Sequence, residues 1–147
     1  MLEKALILAA KAHTGQVDKG GAPYILHPIR VMLACEGEKE KIVALLHDTL
    51  EDTTLTAADL RRAGFPEEIV QAVCCLTRGQ KEDYMDYIAR ICENALAARV
   101  KYADLQDNLD IRRIPNPTER DFARIRKYEQ AMKRITRSVK GGREHGA

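Results

Sequence analysis

Apolar residues recur three and four positions apart along most of the chain. This spacing places apolar side chains on one face of an α-helix. No segment alternates apolar and polar residues over the length of a strand, so we expect an all-α fold, a compact bundle of about seven to nine helices. The segments predicted to be helical are 2–13, 28–35, 38–50, 57–63, 67–76, 81–92, 95–109 and 119–138.

Glycine and proline separate these helices. The glycine-rich segment 14–24 is predicted to be a loop, and Pro28 suits the first turn of a helix, with His27 at its entrance. Pro115 and Pro117 predict a break before the final helix. Helix 38–50 is apolar nearly all round in its second half, so we expect it to lie buried at the centre of the bundle.

Composition bounds the size and class of the protein. Its 147 residues, 45% of them hydrophobic and 31% charged, predict one packed domain over 1–140 and a disordered tail over 141–147. From this length we expect no second catalytic domain. The four cysteines have no Cys-x-x-Cys spacing, so we expect free thiols.

The sequence also gives expectations about the binding partners and the cellular location of the protein. No apolar run approaches the roughly 20 residues that span a bilayer, and the opening residues do not form a convincing signal peptide, so we expect a cytoplasmic protein without membrane partners. The final helix carries many arginines and lysines interleaved with acidic residues. We expect this to be a solvated face rather than a nucleic-acid site. The sequence leaves the oligomeric state open.

The run ALLHDTLEDT over 44–53 carries the clearest chemistry. His47 and Asp48 stand side by side in an apolar helical stretch, and charged residues are rarely buried unless they are paired or bound to metal. His27 and Asp104 are candidate distant partners. A mixed nitrogen and oxygen set of this kind suits a borderline divalent ion such as Mn, Fe, Co or Zn.

Glu51 and Asp52 follow at helical spacing, four residues after His47 and Asp48 respectively. Side chains four apart share a helix face, so the four residues are predicted to point toward one site. We interpret Glu51 and Asp52 as acid–base groups beside the metal. The alternative is an acidic helix end. His13 has no obvious partner in the ligand set and is interpreted as a core or helix-end histidine.

Five motifs together resemble a known family. They are AAKAHTGQ at 9–16, GAPYILHP at 21–28, ALLHDTLEDT at 44–53, CLT at 75–77 and VKYADLQDN at 100–108. The chain resembles the HD superfamily of metal-dependent phosphohydrolases. Within that superfamily it is similar to the hydrolase domain of the RelA/SpoT alarmone enzymes of the stringent response and to their small single-domain relatives.

The resemblance implies a function and a set of site residues. It implies hydrolysis that removes the 3′-pyrophosphate of guanosine tetra- or pentaphosphate (ppGpp or pppGpp), assisted by one divalent ion, Mn²⁺. The implied metal ligands are His27, His47, Asp48 and Asp104. Glu51 and Asp52 would face the reacting phosphate. The candidate substrate contacts are Asn108, at the sugar, with Lys19, Tyr24 and Lys101.

Four positions depart from the family pattern. Asp18 stands where the family has an arginine that packs on the guanine, and a carboxylate cannot replace a stacking cation. Leu105 stands where a basic residue is usual, and Asp110 and Ile111 replace a common Arg-Thr pair. Two alternatives therefore stay open: a different nucleotide or phosphorylated metabolite as substrate, and a non-catalytic metal-binding or sensor module.

Overall fold

A computed structural model describes residues 1–145. Helices make up the regular structure of this part of the chain, which confirms the all-α prediction. The described residues form nine α-helices and one short 3₁₀-helix: α1 Leu2–Ala12, α2 Leu26–Ala34, α3 Glu38–Leu46, α4 Thr49–Asp52, α5 Ala57–Arg62, α6 Glu67–Cys75, α7 Tyr84–Ile91, α8 Ala95–Asn108, the 3₁₀-helix Ile111–Arg113 and α9 Glu119–His145.

Helix α3 lies at the centre of the bundle, as its apolar sequence predicts. All five residues from Ile42 to Leu46 are buried. The helix packs against α1, α2, α6 and α8, and α8 in turn packs against α9. Because α2 and α8 both pack against the central helix α3, these three helices have fixed positions relative to one another.

The prediction of one continuous helix over 38–50 is wrong. Helix α3 ends at Leu46, and the separate α4 begins at Thr49. Two side chains explain the break. The ring Nδ1 of His47 lies 2.5 Å from the Ala44 carbonyl oxygen, and the Thr49 hydroxyl donates to the Leu46 carbonyl oxygen at 2.7 Å. Side chains that bond to nearby carbonyls compete with the helical backbone.

Two other helix starts differ from the sequence-based prediction. Helix α2 begins at Leu26, so His27 and Pro28 both lie inside its first turn, where proline needs no hydrogen-bonded N–H. Helix α7 begins at Tyr84 instead of residue 81, because the Asp83 side chain caps it by accepting from the amides of Met85 and Asp86.

Helix α9 is longer than predicted and continues past Ser138 to His145. Residues 146 and 147 lie outside the described residues, so the disordered tail over 141–147 stays a prediction. None of the helices in the described part of the chain is both long and apolar enough to cross a bilayer.

Candidate metal centre and substrate cavity

Three buried side chains from separate helices converge beside the core. His27 comes from the first turn of α2, His47 follows the end of α3, and Asp104 lies in α8. One donor atom from each residue lies within 4.8 Å of the others. The Asp104 Oδ1 atom is 2.9 Å from His27 Nε2 and 3.3 Å from His47 Nε2.

Asp48 completes this cluster from the junction between α3 and α4. Its Oδ2 atom lies 3.0 Å from His47 Nε2 and 3.8 Å from His27 Nε2. The structure thus brings together all four residues that the sequence predicts as metal ligands. We refer to His27, His47, Asp48 and Asp104 as the metal cluster.

The geometry of the metal cluster fits a divalent ion. Donors bound to one first-row ion at about 2.0–2.2 Å, and at right angles to one another, would be separated by about 3 Å. Three of the four separations above are close to that value. In addition, His47 Nε2 is buried and, although the Asp48 and Asp104 oxygens lie 3.0 and 3.3 Å away, it forms no well-aligned hydrogen bond within the described residues, while its Nδ1 faces the Ala44 carbonyl. That arrangement leaves Nε2 available as a metal donor.

Electrostatics keep both carboxylates of the cluster ionised. Burial alone would raise the pKa of Asp104, but Lys101 and His47 hold it well below its usual value. Burial likewise opposes ionisation of Asp48, whose pKa His47 lowers to about 2. Carboxylates must be deprotonated to bind a metal, so both are in the state that binding requires.

Glu51 and Asp52 lie next to the metal cluster on the short helix α4. One carboxylate oxygen from each lies within 4.8 Å of an Asp48 oxygen and of the other. They reach this position although no continuous helix connects them to His47. The Arg78 amide donates to Glu51 Oε1 at 2.8 Å, and the Gln16 side chain donates to the Asp52 carbonyl at 2.9 Å. Helix α4 is therefore held at both acidic residues.

Burial and acidic neighbours affect the protonation of Asp52. Burial raises the pKa of the Asp52 carboxyl, and the nearby charges of Asp48 and Glu51 raise it further. A carboxylate whose pKa is raised accepts a proton more readily, which suits general base chemistry. The predicted proximity of Glu51 and Asp52 to the candidate metal ligands is thus what the structure shows.

A cavity of about 550 Å³ opens over the metal cluster and the acidic pair. Its lining carries both signs of charge. Asp48, Glu51, Asp52 and Asp104 supply carboxylates. Arg78, Arg124 and Lys127 supply cations to the lining, and we call these three residues the basic wall.

The basic wall adds one feature to the predicted solvated face of the final helix. Arg124 and Lys127 of α9 line the cavity, so this helix contributes to the site as well as presenting a solvated face. The Nζ atom of Lys127 lies 4.3 Å from the centroid of the Tyr84 ring and 5.7 Å from that of Tyr128. Lys127 has no carboxylate within ion-pair distance among the described side chains. Burial, followed by repulsion from Arg78 and Arg124, lowers its pKa.

The four predicted substrate contacts all line the cavity. Three of them also bind metal-cluster carboxylates: the Tyr24 hydroxyl donates to Asp48 Oδ2, Lys101 Nζ donates to Asp104 Oδ2 at 2.9 Å, and Asn108 Nδ2 donates to Asp104 Oδ1 at 3.1 Å. Lys19 is exposed at the rim. Their contact with a substrate stays a prediction.

Asp107 is a site residue that sequence reasoning missed. Its Oδ2 atom lies 2.6 Å from Nδ1 of His27, on the side of the ring opposite to the metal cluster. Asp107 follows Asp104 by three residues on α8, so the two share a helix face. This three-residue spacing is the sequence feature that could have indicated a role for Asp107 at the site. His13, in contrast, is buried with its Nδ1 2.8 Å from the Gln16 side chain, in agreement with a core histidine.

Comparisons with known proteins give the family. No family model matches the sequence. The chain is 32% identical to a guanosine-3′,5′-bis(diphosphate) 3′-pyrophosphohydrolase of Aquifex aeolicus and 31% identical to the bifunctional (p)ppGpp synthase/hydrolase SpoT of Escherichia coli, each over 74% of the chain. It is 30% identical to a GTP pyrophosphokinase of Myxococcus xanthus over 85% of the chain.

A solved structure of a metazoan orthologue of SpoT, which hydrolyses ppGpp, superposes with a TM-score of 0.74 at 26% identity. The match covers 95% of this chain and 85% of that one. The chain belongs to the RelA/SpoT-type hydrolase domains of the HD superfamily. The resemblance seen in the five sequence motifs is confirmed.

This RelA/SpoT-type domain spans about a sixth of the curated relatives it matches, between 17% and 18% of their length. The shared region therefore corresponds to one domain of much longer proteins. The solved metazoan structure is different in this respect, because most of its chain is covered by the match.

The departures from the family pattern have structural roles here. The Asp18 Oδ1 atom accepts hydrogen bonds from the amides of Gly20 and Ala22, both at 2.9 Å, and so stabilises the loop 18–22 at the cavity rim. Leu105 is fully buried in the core. Ile111 begins the 3₁₀-helix that follows α8. Asp18 is thus a loop-forming residue as well as a substitution for arginine.

Proposed function

We propose that this domain is a metal-dependent phosphohydrolase that removes the 3′-pyrophosphate from guanosine tetraphosphate or a related nucleotide. The observation that carries the proposal is the convergence of the metal cluster with Glu51 and Asp52 at one cavity. The relatives named as guanosine-3′,5′-bis(diphosphate) 3′-pyrophosphohydrolases, and the metazoan orthologue that hydrolyses ppGpp, support the same reaction.

His27, His47, Asp48 and Asp104 would hold one divalent ion, which we propose to be Mn²⁺. Two imidazoles and two carboxylates suit such an ion, and four protein donors leave positions open in an octahedral shell. When bound, the ion supplies Lewis acidity, which lowers the pKa of water and polarises a phosphoryl oxygen. Lys101 would balance the charge of Asp104 from outside the cluster.

Glu51 and Asp52 would orient the attacking water and accept its proton. Asp52 is suited to the second role because its pKa is raised by burial and by its acidic neighbours. The water oxygen would form a bond to the phosphorus attached to the sugar 3′-oxygen. The 3′-oxygen–phosphorus bond would break and the 3′-oxygen would take up the proton that the acidic pair received from the water, giving pyrophosphate and a nucleotide with a free 3′-hydroxyl.

The opposite charges of the cavity suggest how the substrate would lie. The 3′-pyrophosphate would meet the metal cluster, and the 5′-phosphates would meet the basic wall of Arg78, Arg124 and Lys127. Asn108 would bond to the sugar between them. A volume of about 550 Å³ is within the range of pockets that bind small molecules, roughly 300–1,000 Å³.

One observation supports a second candidate, in which the base is not guanine. Asp18 gives the cavity rim a carboxylate where the resemblance implies a stacking arginine. Its two hydrogen bonds hold that carboxylate within the loop 18–22. The same metal-dependent hydrolysis would then act on another 3′-phosphorylated nucleotide.

Turnover with added Mn²⁺ tests both candidates. Nucleotide 3′-pyrophosphates, 3′-phosphates and dinucleotide phosphates would be incubated with the purified protein, before and after chelation. We expect pyrophosphate release from a 3′-pyrophosphate, lost on chelation and restored by Mn²⁺. Asp104→Asn is the inactive control. Turnover that survives complete chelation, or an equally active Asp104→Asn protein, would contradict the proposal.

A further inference from the structure

The carboxylate of Asp107 lies behind His27. While His27 Nε2 faces the metal cluster, its Nδ1 is 2.6 Å from Asp107 Oδ2. An imidazole that binds a metal through one nitrogen can donate the N–H of the other to a carboxylate. This second contact determines which nitrogen carries the proton and in which direction the ring points.

Two arginines hold the Asp107 carboxylate in place. Arg30 donates to Oδ1 at 2.8 Å and to Oδ2 at 3.1 Å. Arg113 donates to Oδ1 at 2.8 Å and to the Asp107 carbonyl at 2.7 Å. The Asp107 side chain is only 11% exposed. These contacts come from α2 and the 3₁₀-helix, so two elements restrain the carboxylate that α8 carries.

Charge supports the same arrangement. The guanidinium groups of Arg30 and Arg113 both lie 2.8 Å from Asp107 Oδ1 and place positive charge beside this carboxylate. An anionic carboxylate is a stronger acceptor for an imidazole N–H than a neutral amide would be. Both arginine contacts would therefore help to keep the His27 ring in one orientation.

We propose that Asp107 is a positioning residue, which fixes the His27 ring with Nε2 available to the metal and is itself fixed by Arg30 and Arg113. This inference rests on the proposed metal site. It assigns a role in metal affinity to a side chain that touches neither the metal cluster's donor atoms nor the acidic pair.

Binding of Mn²⁺ alone, measured by calorimetry, tests the role. Asp107→Asn removes the charge and keeps the size. We expect metal affinity to fall by about 10–100-fold, the usual effect of removing such a supporting contact. Asp110→Asn is the matched control, because Asp110 also binds Arg113, at 3.2 Å, but is not bonded to His27. We expect its Mn²⁺ affinity to stay within about twofold of the unmodified protein.

The visible absorption spectrum of bound Co²⁺ gives a second readout, since it reports the geometry of the donors. We expect this spectrum to change in Asp107→Asn and to stay unchanged in Asp110→Asn. Circular dichroism and thermal melting of the metal-free proteins would establish that each variant is folded. Should Asp107→Asn fail to fold, Arg113→Gln takes its place, with an expected loss in Mn²⁺ affinity of about three- to tenfold.

The outcomes separate this inference from the proposed function. If the unmodified protein does not bind Mn²⁺, the proposed metal site fails. If it binds Mn²⁺ and the folded Asp107→Asn variant binds equally well, the role of Asp107 is overturned. An equal loss in Asp107→Asn and Asp110→Asn would also overturn it, because the effect would then come from local charge and not from the His27 contact.

Discussion

His27 Nε2 lies 2.9 Å from Asp104 Oδ1, although 77 positions separate the two residues in the sequence. The contact joins the first turn of α2 to the middle of α8. Both helices pack against the buried helix α3, which ends one residue before His47. The site therefore depends on how three helices pack together, because no single segment of the chain holds more than two of the four proposed metal ligands.

The first prediction concerns the acidic pair. The double variant Glu51→Gln, Asp52→Asn keeps the size of both side chains and removes their charge and their ability to accept a proton. We expect metal binding and fold to be retained and kcat to fall by at least about 100-fold, within the usual span for general acid–base groups. Steady-state kinetics at saturating Mn²⁺ would measure the change.

The control for the acidic pair is Glu68→Gln. Glu68 is exposed and pairs with Lys39 at 2.8 Å, and it does not line the cavity. We expect kcat of this variant to match that of the unmodified protein. Unchanged turnover in the double variant would show that Glu51 and Asp52 are an acidic helix end without a catalytic role.

The second prediction concerns the basic wall. Lys127→Ala removes a cation that has no carboxylate partner among the described side chains and that lies over the Tyr84 ring. A hydrogen bond to a charged group contributes about 1.5–3 kcal/mol, so we expect KM for a nucleotide with 5′-phosphates to rise by about 10–100-fold. Because this contact is remote from the reacting phosphate, kcat should change little.

Lys133→Ala is the matched control on the same helix. Lys133 is exposed and does not line the cavity, so its loss should leave KM unchanged. Kinetics on two substrates, with and without 5′-phosphates, would localise the effect. If Lys127→Ala raised KM equally for both substrates, the basic wall would not be the site of the 5′-phosphates.

The third prediction concerns stability and pH. Glu82 pairs with Arg90 at 2.9 Å, and hydrogen bonds from Arg90 and from the Gly79 amide lower the Glu82 pKa to about 2. A carboxyl whose pKa is lower in the folded state stabilises the protein above its unfolded pKa. That contribution is lost as the pH falls from about 4.5 toward 2.

The free energy of unfolding, measured in urea between about pH 6 and pH 3, would show this loss. In Glu82→Gln we expect lower stability at neutral pH and a smaller decrease on acidification. An unchanged pH dependence in Glu82→Gln would exclude Glu82 as one of the groups responsible.

Helix positions and the ligand set were predictable from sequence because both leave local signals. The apolar periodicity of 38–50 indicated a buried helix, and the His47–Asp48 pair inside it indicated chemistry. The break after Leu46 was not predictable from periodicity. It comes from the His47 and Thr49 side chains, which bond to the carbonyls of the preceding turn.

The basic wall was not predictable for a different reason. Lys127 and Arg78 are 49 positions apart (127 − 78) and carry no shared motif. Their proximity results from the packing of α9 across α7 and α8. Asp107 was only partly predictable. Its spacing from Asp104 indicated a shared helix face, but it did not show that His27 lies between the two carboxylates.

The last prediction concerns the choice of base at residue 18. Asp18→Arg would supply the stacking cation that the family pattern implies, worth about 0.5–2 kcal/mol. It would also remove the acceptor for the Gly20 and Ala22 amides. That loop is tightly placed, because a side chain at Gly20 would collide with the Arg113 carbonyl. The two effects on KM therefore oppose each other.

The ratio of kcat/KM for guanine and adenine substrates separates these effects, since damage to the loop should weaken both bases alike. We expect poor discrimination in the unmodified protein and a guanine preference raised by up to about tenfold in Asp18→Arg, which corresponds to 1.4 kcal/mol. Asp18→Asn is the matched control. It keeps an acceptor oxygen for the loop without supplying a stacking cation, so its ratio should equal that of the unmodified protein. A strong guanine preference in the unmodified protein, undisturbed by the arginine, would show that the base is recognised by a residue other than Asp18.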